Sequence, residues 1–103
     1  MDKGFIEQEI IRELKNVYDP EIPVDIYELG LIYEVRIDDN MNVYIKMTLT
    51  APGCPVAGSL PGEVKDKVKR VKGINKVAVD LVWEPAWDKD KMSDEAKLQL
   101  GFL

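Results

Sequence analysis

Histidine is absent from the 103-residue sequence, and cysteine occurs once, as Cys54. Without histidine, the chain forms neither the Ser–His and Cys–His pairs that activate many nucleophiles nor a histidine metal site. A single cysteine makes no internal disulfide and no CxxC dithiol centre, and it does not supply a full set of cysteine ligands to a metal cluster. These absences argue against a secreted disulfide-bonded domain and against a self-contained cysteine-ligated cluster.

The sequence also lacks a long hydrophobic run and the layout of a signal peptide. No segment approaches the roughly 20 apolar residues of a transmembrane helix, and residues 1–4 lead directly into a charged amphipathic segment. We therefore expect a cytoplasmic protein with no membrane partner. The length is sufficient for one hydrophobic core, which predicts a single domain over residues 1–103.

Basic residues are concentrated in one segment, although the formal net charge of the chain is −5. A charge run of this kind is usually the solvated face of an amphipathic helix. Nucleic-acid binding would normally require a basic domain with interleaved aromatic residues, so we exclude nucleic acid as the main partner. An acidic protein remains a candidate partner for this segment, which contains Lys65, Lys67, Lys69, Arg70, Lys72 and Lys76.

Hydrophobic periodicity predicts an amphipathic helix near the N-terminus. Apolar residues recur at helical spacing over residues 5–17, with charged residues between them. This helix should end before Asp19-Pro20, because the residue before a proline is displaced from helical geometry.

Alternating apolar and polar residues predict three strands. Residues 31–37 and 44–50 flank the turn-forming residues 38–42, which predicts an antiparallel hairpin. Residues 77–83 alternate similarly after a second helix, which favours parallel pairing if this strand neighbours the hairpin. One face of the first strand should carry Leu31, Tyr33, Val35 and Ile37.

The second helix should end near Lys72, and its start is ambiguous. Pro61 would break a backbone hydrogen bond in a helix that began at Pro55. Two alternatives stay open: a new helix start at residues 59–61, or a kinked helix. Near the C-terminus, Ser93 is predicted to cap a short helix that Gly101 ends.

Cys54 lies between the second strand and the second helix, directly before Pro55. Proline is favoured at the first helical position, which places Cys54 at or just before a helix N-terminus. Unpaired backbone N–H groups and the helix dipole favour an anion there, and a thiol so placed tends to ionise more readily. The competing interpretation is a small buried hydrophobic residue, since free cysteines are often buried.

Other chemistry-bearing groups lie on the loop at residues 19–25 and at the end of the second strand. Asp19 either caps backbone N–H groups in a polar turn or places a carboxylate beside Cys54. Thr50, on the same predicted polar face as Thr48, either hydrogen-bonds a thiolate or a loop carboxylate or is an ordinary strand-end residue.

A series of motifs follows along the chain from residue 19 to residue 101. They are Asp19-Pro20-Glu21, Leu29-Gly30-Leu31, Thr48-Leu49-Thr50 running into Pro52-Gly53-Cys54-Pro55, Gly73 before a Val-Ala-Val strand, and Pro85-Ala86-Trp87. In this order the motifs resemble the small iron–sulfur assembly accessory family, which includes SufT-like and PaaD-like metal–sulfur cluster biosynthesis domains.

The resemblance implies an α+β domain similar to the iron–sulfur assembly scaffold fold, with helices packed on a small mixed sheet. Together with the strand pattern, it predicts a three-stranded sheet made of a hairpin and one crossover strand. It also implies a non-catalytic accessory role in cluster assembly or delivery, with assembly proteins and client apoproteins as partners. Carried over by motif, the functional group is Asp19, Glu21, Thr50 and Cys54, with Cys54 as the metal ligand.

One cysteine does not supply the usual four cluster ligands, so we expect iron or a cluster to be held transiently and not stably by a monomer. Two arrangements are compatible with a single cysteine per chain. Either a labile cluster is bridged across a homodimer, or the protein docks to its partners without binding metal. The alternative function is a non-metal adaptor in protein maturation, with a structural Cys54. A thiol enzyme is less favoured, because the chain lacks a histidine base and a resolving cysteine.

Overall fold

A computed structural model describes residues 2–19, 22–50 and 60–102. None of the helices in these ranges is long and apolar enough to cross a membrane. In chain order the elements are α1 (Lys3–Leu14), β1 (Ile32–Ile37), β2 (Val43–Met47), α2 (Leu60–Val68), β3 (Val77–Leu81), a short 3-10 helix (Lys89–Lys91) and α3 (Asp94–Gln99).

The strands form a mixed sheet in the order β1-β2-β3, as predicted. β2 pairs with β1 antiparallel, with Ile45 opposite Val35, which confirms the hairpin. It pairs with β3 parallel, with Ile45 opposite Val79, which confirms the crossover. The α+β fold class inferred from the sequence is therefore correct for the described residues.

The core lies on one face of this sheet. Along β2, the side chains of Val43, Ile45 and Met47 are buried while Lys46 is exposed, which is the pattern of a sheet covered on one side. The covering helices contribute Ile6, Ile10 and Leu14 from α1, and Leu60, Val64 and Val68 from α2.

The predicted face of β1 is wrong at Tyr33. The strand register shifts between Ile32 and Glu34, because these residues face the adjacent positions Met47 and Lys46 and leave Tyr33 as an extra residue. Ile32, instead of Tyr33, packs against the core with Val35 and Ile37. The Tyr33 hydroxyl instead donates a hydrogen bond to the backbone oxygen of Pro85, at 2.8 Å.

Both helices differ from prediction at one end. α1 ends at Leu14 and continues into turns in which the Val17 N–H bonds the Leu14 oxygen at 3.2 Å, so Val17 remains buried without being helical. α2 is described over Leu60–Val68, with Pro61 as its second described residue, and it ends before the predicted end near Lys72. Residues 55–59 lie outside the described residues, so the choice between a new helix start at residues 59–61 and a kinked helix stays a prediction.

The C-terminal segment packs on the turn at residues 26–30. The Ser93 side chain caps α3 by accepting from the Ala96 N–H at 3.1 Å, as predicted. Its own N–H donates to the Glu28 oxygen at 2.9 Å, and Met92 and Ala96 join the core. Phe102, by contrast, is 54% exposed.

Candidate functional site

Two of the four predicted site residues, Asp19 and Thr50, lie within the described residues. Glu21 and Cys54 lie outside them. The predicted grouping of these four side chains therefore stays a prediction, and the geometry of the site is built here from Asp19, Thr50 and the elements that position them.

Asp19 is a buried carboxylate, with 7% of the residue exposed. Its Oδ1 accepts from the Ile22 N–H at 3.0 Å, and its own N–H donates to the Val24 oxygen at 3.4 Å. A bridge between Tyr18 and Asp25 closes the loop around it. Asp19 thus caps its own loop, as one of the two interpretations predicted. Burying a carboxyl group without hydrogen bonds would cost free energy, and the bond from Ile22 offsets part of that cost.

A chain of backbone hydrogen bonds connects the Asp19 loop with the end of β2. The Ile26 N–H donates to the Val17 oxygen at 2.8 Å, the Leu31 N–H to the Ile26 oxygen at 3.1 Å, and the Thr48 N–H to the Leu31 oxygen at 2.9 Å. All four residues have no exposed surface. The segments that carry Asp19 and Thr50 are therefore anchored in one buried framework, although they are distant in sequence.

The end of β2 does not have the polar face that alternation predicted. Met47, Thr48 and Leu49 are all buried in succession, because the turn that ends at Leu31 covers the strand end. Thr50 is half-buried. The Thr48 Oγ1 is buried without a hydrogen-bond partner among the described residues, a state that is rare for a hydroxyl group.

No ready-made metal ligand set is present in the described part of the chain. Within residues 2–19, 22–50 and 60–102, there is no group of three or more Cys, Asp or Glu side chains that could hold a metal ion.

An apolar groove of about 320 Å³ lies beside the Asp19 loop. Its connection to that loop is direct, since Ile22 lines the groove and donates its N–H to Asp19. Sequence reasoning missed this groove because its walls come from opposite ends of the chain. They are formed by Ile22, Pro23, Trp87, Met92, Leu100 and Phe102.

These features define a small α+β domain with a candidate site on loops that the sheet and a buried turn hold in place. The chain belongs to the iron–sulfur cluster assembly protein family, because the sequence model of that family matches residues 7–81. The resemblance inferred from the ordered motifs is thereby confirmed.

Relatives extend this similarity to nearly the whole chain. An "Fe-S protein maturation auxiliary factor" of Porphyromonas gingivalis is 54% identical over 105 aligned residues, covering 100% of both chains. The "Fe-S protein maturation auxiliary factor YitW" of Bacillus subtilis is 42% identical over 93% of this chain and 94% of its own. A solved structure of the domain of unknown function DUF59 from Bacillus anthracis superposes with a TM-score of 0.88 at 42% identity, covering 97% of this chain and 95% of that one.

Proposed function

We propose that this protein is a non-catalytic, cytoplasmic accessory factor in the assembly or delivery of iron–sulfur clusters. The observation that carries the proposal is its full-length similarity, at 54% identity, to a maturation auxiliary factor. The partners are iron–sulfur assembly proteins and client apoproteins, and the cluster or its iron is cargo that passes between them.

Cys54 is the proposed ligand to that cargo, since a thiolate is the protein group that iron–sulfur clusters use most. A cluster normally requires four such ligands, and this chain has one cysteine. The cargo is therefore held transiently and shared with the partner or with a second copy of the chain. Such loose ligation suits delivery, because the acceptor protein can replace the donor's thiolate.

Asp19, Glu21 and Thr50 supply oxygen atoms to the same proposed site. Support for Asp19 comes from its burial and from the hydrogen bond that holds its carboxylate against the Ile22 N–H. A group fixed by its own loop is pre-organised to bind iron. Thr50 lies two residues after Thr48, which belongs to the buried hydrogen-bonded framework, so that framework also fixes the position of the Thr50 backbone.

Anaerobic reconstitution with ferrous iron and sulfide tests the ligand role of Cys54. We expect wild type to develop visible charge-transfer absorption and to transfer the cluster to an apo-ferredoxin, and Cys54→Ser to lose both. Equal absorption and equal transfer by Cys54→Ser would refute ligation by the thiol and favour the adaptor function instead.

Asp19→Asn separates the chemistry of the carboxylate from its structural role. The amide oxygen can still accept from the Ile22 N–H, so we expect the variant to fold, as circular dichroism would show, but to transfer the cluster more slowly. Asp25→Asn is the matched control, because Asp25 ends the same loop and likewise accepts from a backbone N–H three residues ahead, that of Glu28, at 3.0 Å. Equal transfer rates for the two variants would exclude a special role for Asp19.

A further inference from the structure

A cleft of about 300 Å³ lies between α1 and the turn that follows α2, on surface that the proposed function does not use. One wall carries Phe5, Glu9 and Glu13, which lie four residues apart along α1 and therefore form one line on the helix. We call Glu9 and Glu13 the acidic wall. Arg70 and Lys72, which flank Val71, form the basic wall.

The two walls carry opposite charge without being paired to one another. In the described part of the chain, the ion pairs are Lys3 with Asp39 and Arg12 with Glu9, and neither crosses the cleft. Arg70 and Lys72 are exposed, while Val71 is half-buried between them. The cleft thus offers two unlike charged rims to a partner.

Apolar surface accompanies these charges. Phe5 is 59% exposed, although it is a large hydrophobic side chain at the start of the acidic wall. Val71 gives the basic wall an apolar residue as well, so each wall combines apolar and charged surface. Protein interfaces bury apolar surface together with polar and charged groups.

We propose that this cleft docks a second copy of the chain about a two-fold axis. A rotation of 180° places the acidic wall of one copy opposite the basic wall of the other, and the reverse contact forms at the same time. Phe5 of each copy then faces the wall of the other copy that contains Val71. A uniformly acidic partner fits less well, because Glu9 and Glu13 would repel it.

This dimer is independent of the proposed cluster chemistry, since its residues are not those of the candidate site. Oligomeric state and cluster transfer are also measured separately, so failure of one leaves the other intact. The dimer would nevertheless place two thiols in one assembly, because each chain contributes one cysteine.

Sedimentation equilibrium on the full chain tests the proposal by charge swapping. Glu9→Lys with Glu13→Lys makes both walls basic, and Arg70→Glu with Lys72→Glu makes both walls acidic. Each double variant alone should dimerise at least about tenfold more weakly than wild type, because every contact becomes repulsive. An equimolar mixture of the two variants should recover dimerisation, since unlike walls then face each other in both contacts.

Glu84→Lys with Glu95→Lys is the matched control for Glu9→Lys with Glu13→Lys, because it makes the same change in net charge with two exposed residues outside the cleft. This control should dimerise like wild type, and wild-type dimers should weaken as salt rises from about 0.05 to about 0.5 M. Circular dichroism confirms folding of each variant. A wild type that stays monomeric at its highest soluble concentration, or a variant mixture that fails to associate, would overturn the proposal.

Discussion

The indole Nε1 of Trp87 donates a hydrogen bond to the backbone oxygen of Leu29, at 2.7 Å, and joins residues 58 positions apart. Leu29 is fully buried, so loss of the donor would leave its oxygen without this partner. We expect Trp87→Phe to lower the free energy of unfolding by about 1–3 kcal/mol, which urea denaturation would measure.

Trp83→Phe serves as the control for the same change of side chain. Trp83 is 40% exposed, and we expect its substitution to alter the free energy of unfolding by less than about 0.5 kcal/mol. Equal losses for the two variants would show that the hydrogen bond to Leu29 does not hold the C-terminal segment in place.

Gly30 lies where the C-terminal segment approaches the turn before β1. Its φ is +81°, and a Cβ at this position would overlap the backbone oxygen of Lys91. Gly30→Ala must therefore both strain the backbone and displace another part of the chain. We expect a loss of unfolding free energy above about 3 kcal/mol, measured by thermal or urea denaturation.

Two other glycines separate these two effects. Gly101 has a φ of +85°, and no atom of the described residues lies within 4 Å of the place that a Cβ would occupy, so Gly101→Ala should cost only the backbone contribution of about 1–2 kcal/mol. Gly62 lies in α2 with similarly open space around it, and Gly62→Ala should stabilise the protein by about 0.4–1 kcal/mol. A Gly30 variant no worse than the Gly101 variant would contradict the close approach to Lys91.

Thr48 carries a buried hydroxyl that has no hydrogen-bond partner within the described ranges. Thr48→Val replaces that hydroxyl by a methyl group of similar shape, so it should raise the free energy of unfolding by about 1 kcal/mol. Thr48→Ser is the control, because it keeps the hydroxyl and loses the methyl group, and it should destabilise the protein. Destabilisation by Thr48→Val would mean that the hydroxyl is satisfied in solution, for example by a bound water.

Asp38 makes stability depend on pH at the hairpin turn. Hydrogen bonds lower the pKa of its carboxyl from 3.8, chiefly the bond from the Asn42 backbone N–H, with further bonds from the Asn42 side chain, the Asn40 N–H and the Tyr44 hydroxyl. A lowered pKa in the folded state contributes stability above the unfolded value, and that contribution disappears as pH falls through the folded value.

We therefore expect Asp38→Asn to be less stable than wild type at neutral pH. The difference should shrink as the pH falls from about 5 to about 2, because wild type then loses its charged acceptor. Denaturation of both proteins across this range, with an NMR titration of Asp38 in wild type, measures the effect. A constant difference between the two proteins, or a titration midpoint at or above 3.8, would contradict it.

Local signals accounted for most of the secondary structure. Alternation identified the hairpin and the crossover strand, and the cap at Ser93 identified the start of α3. The errors occurred where neighbours in space override local pattern. The extra residue at Tyr33 and the burial of Thr48 both depend on what packs against each strand.

The sequence by itself determined the fold class, the order of the elements and the family, because side-chain periodicity, turn residues and ordered motifs are carried by short stretches of chain. The tertiary structure alone decided that Asp19 is buried and capped, that an apolar groove adjoins its loop, and that α1 and the turn after α2 form a cleft with unlike walls. The groove and the cleft each join residues far apart in sequence, and no local pattern encodes such contacts. The capping of Asp19 is local, but the loop sequence left it as one of two alternatives.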